Sequence, residues 1–198
     1  MNPKGILLVV SGPSGAGKGT LCQALLEKFD DLQCSVSMTT RKPRPGEIDG
    51  ESYHFVDKEE FLQRIDNGEF LEWARVYDNY YGTTWEQVRN IIDKGKNIIL
   101  EIDMQGAMQV KKVFDSGVFI FVIPPSRDVL EERIINRGTE DAGAAKKRLG
   151  NLNNELAYIN NYNYLIINDS LDKAVKELES IYIAEKCRPH RSIKYWKG

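Results

Sequence analysis

The chain has 198 residues, of which 41% are hydrophobic and 28% charged, with a formal net charge of -2. This length is sufficient for a single compact domain, and the charge balance gives no basic field that would favour nucleic acid or a membrane surface as a partner. The apolar segments are too short to cross a bilayer. The three cysteines lack metal-site spacing, so we interpret them as reduced thiols and expect a cytoplasmic protein without a secretory leader.

The first predicted element is a buried strand over Ile6–Val10, followed at once by a glycine-rich turn and a helix. Glycines let several backbone N–H groups face one anion, and the helix N-terminus adds its dipole. Lys18 is then placed to reach the β- and γ-phosphates of a nucleoside triphosphate, which makes the turn a P-loop. The candidate phosphate-binding residues are Gly12, Pro13, Ser14, Gly15, Ala16, Gly17, Lys18, Gly19 and Thr20.

The residue after Lys18 departs from the usual P-loop pattern. A Ser or Thr commonly stands there to bind Mg²⁺, but this chain has Gly19, with the hydroxyl one residue later at Thr20. Because Mg²⁺ sheds its waters reluctantly, we expect Mg²⁺ to be held mainly by ATP oxygens and water, with no direct protein ligand.

Residues 35–90 interrupt the alternation of strands and helices and predict an inserted, mostly β lobe. A proline-stiffened turn in this lobe carries Arg41 and Arg44, whose guanidinium forks fit a second phosphate group. The hydroxyls of Tyr53 and Tyr81 can complete such a site. A solvated basic loop is the alternative interpretation of the same turn.

Glu72 follows in a strand-like alternation, on the same face as Phe70. A carboxylate there can accept two hydrogen bonds from a base edge with adjacent N–H groups. Guanine presents N1–H and the 2-amino group on that edge, whereas adenine presents an acceptor at N1. An ordinary surface glutamate is the alternative.

Three further apolar runs predict core strands at Ile98–Ile102, Val118–Ile123 and Tyr164–Ile167. Strands that alternate with helical patterns predict an α/β fold with a parallel sheet. Glu101 and Asp103 lie at the carboxyl end of one strand, where open α/β sheets bind ligands. We expect one or both to face Mg²⁺ waters or the base, while a helix cap at Asp103 is the alternative.

Residues 137–157 form a second interruption, charged and poor in large apolar side chains, and predict a mobile lid. Arg133, Arg137 and Arg148 lie in or beside it. Guanidinium groups stabilise the charge that spreads over a moving phosphoryl group. The alternative is a set of ordinary surface arginines.

In combination, these residues resemble the guanylate kinase family over nearly the whole chain, from Gly12 to about Lys186. The resemblance implies the P-loop kinase fold, with a parallel core sheet flanked by helices, an inserted GMP-binding β lobe and a helical lid. The motifs that carry it are Gly12–Lys18, Ser35–Arg41, Arg44–Glu47, Tyr53, Phe70–Trp73, Tyr80–Thr83, Glu101–Gly106, Arg137–Thr139 and Asn168–Asp169.

The resemblance also implies roles for individual residues. Those expected to hold guanine or its surroundings are Ser37, Glu72, Thr83 and Asp103. Those expected to hold the GMP phosphate are Arg41, Arg44, Tyr53 and Tyr81. Those expected to act on the transferring phosphoryl group are Lys18, Arg41, Arg133, Arg137 and Arg148. Asn168 is expected near the adenine or ribose of ATP.

The implied organisation is one domain over 1–198, and the implied activity is transfer of a phosphoryl group from ATP to GMP. The expected parts are a core at about 4–34, 91–136 and 158–186, the lobe at about 35–90, the lid at about 137–157 and a basic tail at 187–198. The tail lies outside the resemblance, and the oligomeric state stays open.

Two other functions compete with this interpretation. An inactive, phosphopeptide-binding relative of the kinases is disfavoured because Lys18, Arg137 and Arg148 are all present. A kinase for another nucleoside monophosphate is disfavoured by the combination of Ser37, Glu72 and Asp103.

Overall fold

The structure, a computed structural model, describes residues 5–76, 78–136, 150, 152–193 and 196. Its strands are β1 (Leu7–Ser11), β2 (Leu32–Cys34), β3 (Met38–Thr39), β4 (His54–Phe55), β5 (Phe70–Val76), β6 (Asn79–Thr84), β7 (Asn97–Glu101), β8 (Val118–Ile123) and β9 (Tyr164–Ile167). Its named helices are α1 (Lys18–Leu26), α2 (Lys58–Asp66), α3 (Trp85–Ile92), α4 (Met104–Val113), α5 (Arg127–Asn136), α6 (Leu171–Lys186) and α7 (Pro189–Ser192).

The larger sheet has five strands in the order β2-β7-β1-β8-β9. The pairs β2–β7, β1–β8 and β8–β9 are parallel, with Val9 opposite Phe119. Its central strands are buried on both faces, which explains why β1 and β8 have continuous apolar sequences. The four strands expected from the sequence are confirmed to within one residue at each end. The short strand β2 was not predicted.

The smaller sheet has four strands in the order β4-β3-β6-β5, and β5 and β6 are antiparallel. A bulge between Phe70 and Glu72 shifts the register of β5, so that Glu72 lies opposite Thr83. Bulges re-aim side chains at functional sites. Phe61 stacks on Phe70 with ring centroids 4.4 Å apart and forms a small core with Met38.

Helix α2 supplies Phe61 to that core, although the sequence argument predicted mostly β structure here. The signal that identifies α2 is local. Asp57 is the N-cap, and its carboxylate accepts a hydrogen bond of 2.8 Å from the backbone N–H of Glu60. An acidic cap followed three residues later by Glu60 is a helix-start pattern.

By its contacts, the chain divides into two compact units. The first runs up to Leu7 and resumes over Asp31–Gly117, so it contains the smaller sheet, β2 and β7, and α2 to α4. The second comprises Leu8–Asp30 and the residues from Val118 onward, which contain α1, β8, β9 and α5 to α7.

In the second unit, α6 packs an apolar stripe against α1 and the segment after it. Leu178 and Tyr182 are fully buried, and Phe29 meets Tyr182 edge-on with centroids 4.7 Å apart. The buried residues Ala174, Leu178 and Tyr182 recur at helical spacing. With 16 residues, α6 is the longest helix in the described parts of the chain, and none of these helices combines the length and apolar character needed to cross a membrane.

The basic tail is attached to α6 through a buried carboxylate. Glu185 is 3% exposed and accepts hydrogen bonds from Arg188, Arg191 and the Tyr164 hydroxyl. Burial alone would raise the pKa of Glu185, but hydrogen bonds from Arg188, Tyr164 and Arg191 lower it below its ordinary value. The described tail residues therefore have a structural role in closing the end of α6.

Candidate active site

The P-loop lies between β1 and α1 in the second unit, and its path depends on glycine. Gly12 has φ of 146°, and a Cβ there would lie 2.0 Å from the carbonyl oxygen of Val122. Gly17 is the N-cap of α1 in the left-handed region, with φ of 88°. Only glycine adopts both conformations without strain. Lys18, the first residue of α1, donates from Nζ to the carbonyl oxygens of Gly12 (2.7 Å) and Pro13 (3.1 Å).

Asn168, at the end of β9, supports this loop from the side. Its Nδ2 donates to the carbonyl oxygen of Ala16 at 2.8 Å, and its side chain occupies the space that a Cβ at Gly17 would enter. Arg133 of α5 donates from Nη2 to the backbone carbonyl of Asn168 at 3.1 Å. Asn168 thus contacts the P-loop directly, and Arg133 contacts Asn168. All of these residues lie in the second unit.

In the first unit, β5 presents Glu72 to a closed polar site. The residue is 3% exposed, and its Oε1 accepts no hydrogen bond from any described residue. Burial is the main cause that raises the pKa of Glu72 to about 8; Asp103 raises it further, and hydrogen bonding from Thr83 opposes the shift. A buried carboxyl oxygen without a donor is costly, and a ligand that supplied donors would remove that cost.

Thr83 lies opposite Glu72 in the sheet, and its hydroxyl group contacts that of Ser37. Ser37 Oγ and Thr83 Oγ1 are 3.1 Å apart, and both residues are buried. On the α4 side, Asp103 is the N-cap, with Oδ1 accepting from the N–H of Gly106 at 2.8 Å. The helix cap considered for Asp103 is therefore present.

The basic turn is organised around Glu47. Arg41 forms two parallel hydrogen bonds of 2.8 Å with the Glu47 carboxylate, one from Nη1 and one from Nη2. The same carboxylate accepts from the backbone N–H of Arg44 at 2.7 Å. The hydrogen bond from Arg41 is the largest cause that lowers the pKa of Glu47, and the bond to Glu47 likewise raises the pKa of Arg41. Arg41 is thus fixed in place, while the Arg44 side chain is exposed.

Aromatic rings surround the Arg41 guanidinium. Its carbon lies 5.4 Å from the Tyr53 ring centroid and 5.8 Å from that of Phe55. Tyr53 and Tyr81 meet edge-on with centroids 6.0 Å apart. Burial, with a contribution from Glu101, raises the pKa of Tyr53. The two tyrosines and Arg41 therefore share one cluster, and Glu101 acts on it electrostatically.

Three comparisons place this geometry among known proteins. A family model described as guanylate kinase matches residues 4–185. A guanylate kinase of Clostridium perfringens is 55% identical over 190 residues, covering 96% of this chain and 88% of the relative. A guanylate kinase of Caldanaerobacter subterraneus is 52% identical over 189 residues, covering 96% of this chain and 92% of the relative. The crystal structure of guanylate kinase from Anaplasma phagocytophilum is similar with a TM-score of 0.79 and 34% identity, covering 94% of this chain and 89% of that one.

The chain belongs to the guanylate kinase family. The expected α/β kinase fold is confirmed as well, because the parallel sheet, the mixed sheet and the structural neighbour agree. In this guanylate kinase family member, the residues expected around the acceptor base and phosphate all lie in the first unit. The P-loop, Asn168 and Arg133 lie in the second.

Some expected site residues cannot be placed, and some contacts were missed. Arg137 and Arg148 lie outside the described residues. Leu152, at the described end of the expected lid, is buried against Leu130 of α5. Glu47 was quoted within a motif, but no role was predicted for it. Its position three residues after Arg44, across a Pro-Gly turn, is the signal that could have identified it.

Proposed function

We propose that this guanylate kinase family member transfers the γ-phosphoryl group of ATP to GMP, giving ADP and GDP. The observation that carries the substrate assignment is the buried Glu72 Oε1, which accepts no hydrogen bond from the described residues. The N1–H and 2-amino groups of guanine are the pair of donors that a carboxylate accepts. Guanine binds the carboxylate form, so the proton that the raised pKa of Glu72 retains at neutral pH in the ligand-free protein would be released on binding. Adenine has an acceptor at N1, which the carboxylate form would repel.

The acceptor phosphate binds to the basic turn in this proposal. Arg41 is held by Glu47 through Nη1 and Nη2, and its guanidinium lies against the ring of Tyr53. Tyr53, Tyr81 and the exposed Arg44 complete the contacts. Because Arg41 is already oriented, little side-chain entropy is lost when the phosphate binds.

The γ-phosphoryl group is oriented by the P-loop. Its backbone N–H groups and Lys18 bind the phosphates of ATP, and Asn168 keeps the loop in shape through Ala16. An oxygen of the GMP phosphate attacks the γ-phosphorus, and the bond from that phosphorus to the ADP oxygen breaks. No general base is required, because a phosphate monoester with a second pKa of about 6 is largely ionised at neutral pH. Catalysis then consists of orientation and charge stabilisation.

The side-chain oxygen atoms available near the P-loop lysine and after β7 are compatible with Mg²⁺ bound through water. Gly19 offers no side-chain oxygen, Thr20 and Glu101 are exposed, and Asp103 uses one oxygen to cap α4. Bound to ATP, Mg²⁺ would neutralise phosphoryl charge, with Thr20, Glu101 or Asp103 as partners of its water ligands. By family resemblance, Arg133, Arg137 and Arg148 stabilise charge on the moving group. We also propose a cytoplasmic location, in which the thiols of Cys22, Cys34 and Cys187 would stay reduced.

The test is a coupled assay of ADP formation with purified protein, ATP and Mg²⁺, supplied with GMP, AMP, CMP or UMP in turn. We expect a kcat/KM for GMP at least about a hundredfold above that for AMP, because a mismatched polar edge leaves a buried group unpaired. Equal use of all four acceptors would overturn the assignment of guanine. Absence of turnover with every acceptor, together with binding of GMP, would favour the inactive relative.

A further inference from the structure

The first turn of α4 comes unusually close to the carboxyl group of Glu72. A Cβ built on Gly106 would lie 2.3 Å from Glu72 Oε2 and 3.1 Å from its Cδ. Carbon and oxygen cannot approach to 2.3 Å without a bond, so a side chain at Gly106 and the present position of the Glu72 carboxyl exclude each other. The nearest atoms belong to the end of a side chain, and the carboxyl group is the part that would move.

The backbone of α4 does not itself require glycine at this position. Gly106 lies within Met104–Val113 and is not among the glycines with positive φ. Its N–H donates to the Asp103 cap, a contact that any residue except proline can make. Since alanine is a better helix former than glycine, the helix alone would favour alanine. The reason for glycine must therefore be its contact with Glu72.

The neighbouring contacts prevent α4 and β5 from separating to relieve a clash. Gln109, one turn further along α4, pairs with the backbone of Trp73, the residue after Glu72. Its Oε1 accepts from Trp73 N–H at 3.1 Å, and its Nε2 donates to the Trp73 carbonyl at 2.6 Å. This double hydrogen bond fixes the register of Gly106 against Glu72. With Glu72 only 3% exposed, a displaced carboxyl group has little room.

We propose that Gly106 is a specificity-determining position: its missing side chain leaves the space in which the Glu72 carboxylate lies when it binds the guanine edge. Gly106 acts through Glu72 and is a positioning residue. The inference rests on the proposed function and deepens it, because it assigns acceptor selectivity partly to a residue without a side chain of its own.

The first test is the variant Gly106→Ala. We expect KM for GMP to rise at least about tenfold, because the carboxylate no longer meets both guanine donors. KM for ATP should stay within about twofold of wild type. The better helix propensity of alanine opposes the cost of displacing the carboxyl group, so Tm is measured alongside to establish that the variant is folded. Lys112→Ala, at an exposed position of the same helix, is the matched control and should leave both KM values unchanged. A wild-type KM for GMP in Gly106→Ala would overturn the inference.

Selectivity gives a readout that general loss of stability would not move. Inosine monophosphate lacks the 2-amino group and so makes only one of the two hydrogen bonds to a carboxylate. Wild type should prefer GMP over inosine monophosphate, and this preference should shrink at least about fivefold in Gly106→Ala. An unchanged ratio of the two kcat/KM values, with both reduced equally, would contradict a role in selectivity.

A double-mutant cycle identifies the contact itself. Aspartate is one methylene shorter than glutamate, so Glu72→Asp withdraws the carboxyl group from the space at residue 106. We expect KM for GMP in Glu72→Asp/Gly106→Ala to be close to that of Glu72→Asp alone, because the clash is already relieved. If the two effects multiply, the residues act independently and the inference fails.

Failure of this inference can be distinguished from failure of the proposed function. If Glu72→Gln leaves KM for GMP unchanged, Glu72 does not bind the base and the proposed function is wrong on that point. If Glu72→Gln raises KM for GMP while Gly106→Ala does not, the base site stands and only the role of Gly106 is overturned.

Discussion

The P-loop of the second unit and the proposed acceptor region of the first, which comprises Arg41, Glu47, Tyr53, Glu72 and Tyr81, differ in the kind of atoms that would recognise a ligand. The P-loop relies on backbone, with glycine conformations at Gly12 and Gly17 and a lysine that contacts its own loop carbonyls. The acceptor region relies on side chains that are already paired, of which Arg41 with Glu47 is the clearest case. A backbone site recognises phosphate in general, whereas a side-chain site can also select the molecule that carries it.

The difference extends to electrostatics. In the acceptor region the Glu72 carboxyl group is buried, and burial raises its pKa. Burying the charged form is unfavourable unless a ligand supplies hydrogen-bond donors. In the P-loop region Lys18 donates to the carbonyl groups of Gly12 and Pro13, contacts that we propose the phosphates of ATP replace. Substitutions in the two regions should therefore have separable effects on the two substrates.

The largest effect is expected for Lys18→Met. The variant removes the charge that meets the β- and γ-phosphates, and kcat should fall at least about a hundredfold, the scale of one preorganised electrostatic group. GMP affinity, measured by titration without ATP, should stay near wild type. Turnover close to wild type would show that Lys18 does not act on the transferring group.

Arg41→Ala should raise the dissociation constant for GMP by about tenfold or more, since it removes charge-assisted hydrogen bonds to the phosphate. Guanosine, which has no phosphate, should bind to both proteins equally. Arg44→Ala should also weaken GMP binding, but by less, because the Arg44 side chain is exposed. Equal weakening of GMP and guanosine would make the basic turn a structural element.

Much of this comparison could be predicted from the sequence, because its signals are local. Three features depend on residues close together in the chain: the P-loop glycines, the strands of the larger sheet and the helix cap at Asp103. The same applies to helix α3, which begins after a local cap in which the Thr84 side chain accepts a hydrogen bond from the N–H of Gln87.

What the sequence could not show depends on contacts between distant residues. Asn168 was expected near the adenine or ribose, and the contact that the structure gives it is with Ala16 of the P-loop, a residue 152 positions away. The proximity of Gly106 and Glu72 arises from a bulge in β5 and from the pairing of Gln109 with Trp73. No periodicity in the sequence encodes that register. Arg41 and Glu47 are close in sequence, but the ion pair between them forms only because the intervening turn brings the two side chains together.

The stability of the ligand-free protein should depend on Glu72 in a pH-dependent way. Its pKa is raised from 4.5 to about 8 in the folded protein, so the folded state holds a proton that the unfolded state releases in that window. Stability is therefore lost as pH rises from about 4.5 to about 8. In Glu72→Gln this loss should disappear, so the variant should exceed wild type in Tm more at pH 8 than at pH 5. An equal difference at both pH values would contradict a protonated Glu72.

A smaller effect is expected for Asn168→Ala. The variant removes one hydrogen bond to the Ala16 carbonyl, worth about 1 kcal/mol, and loosens the P-loop. KM for ATP should rise about fivefold, while GMP affinity should not change. A variant with unaltered KM for ATP would show that the loop keeps its shape without this support.

Recognition of the acceptor base depends most on the buried Glu72 carboxylate. Its most direct test is to titrate wild type and Glu72→Gln with GMP and, separately, with ATP, at pH 8.5 where the carboxyl group is largely ionised. Dissociation constants for GMP should differ by at least about tenfold, because the amide cannot accept both guanine donors. Those for ATP should agree within about twofold. Equal GMP affinity in the two proteins, or equal weakening of both nucleotides, would contradict the account.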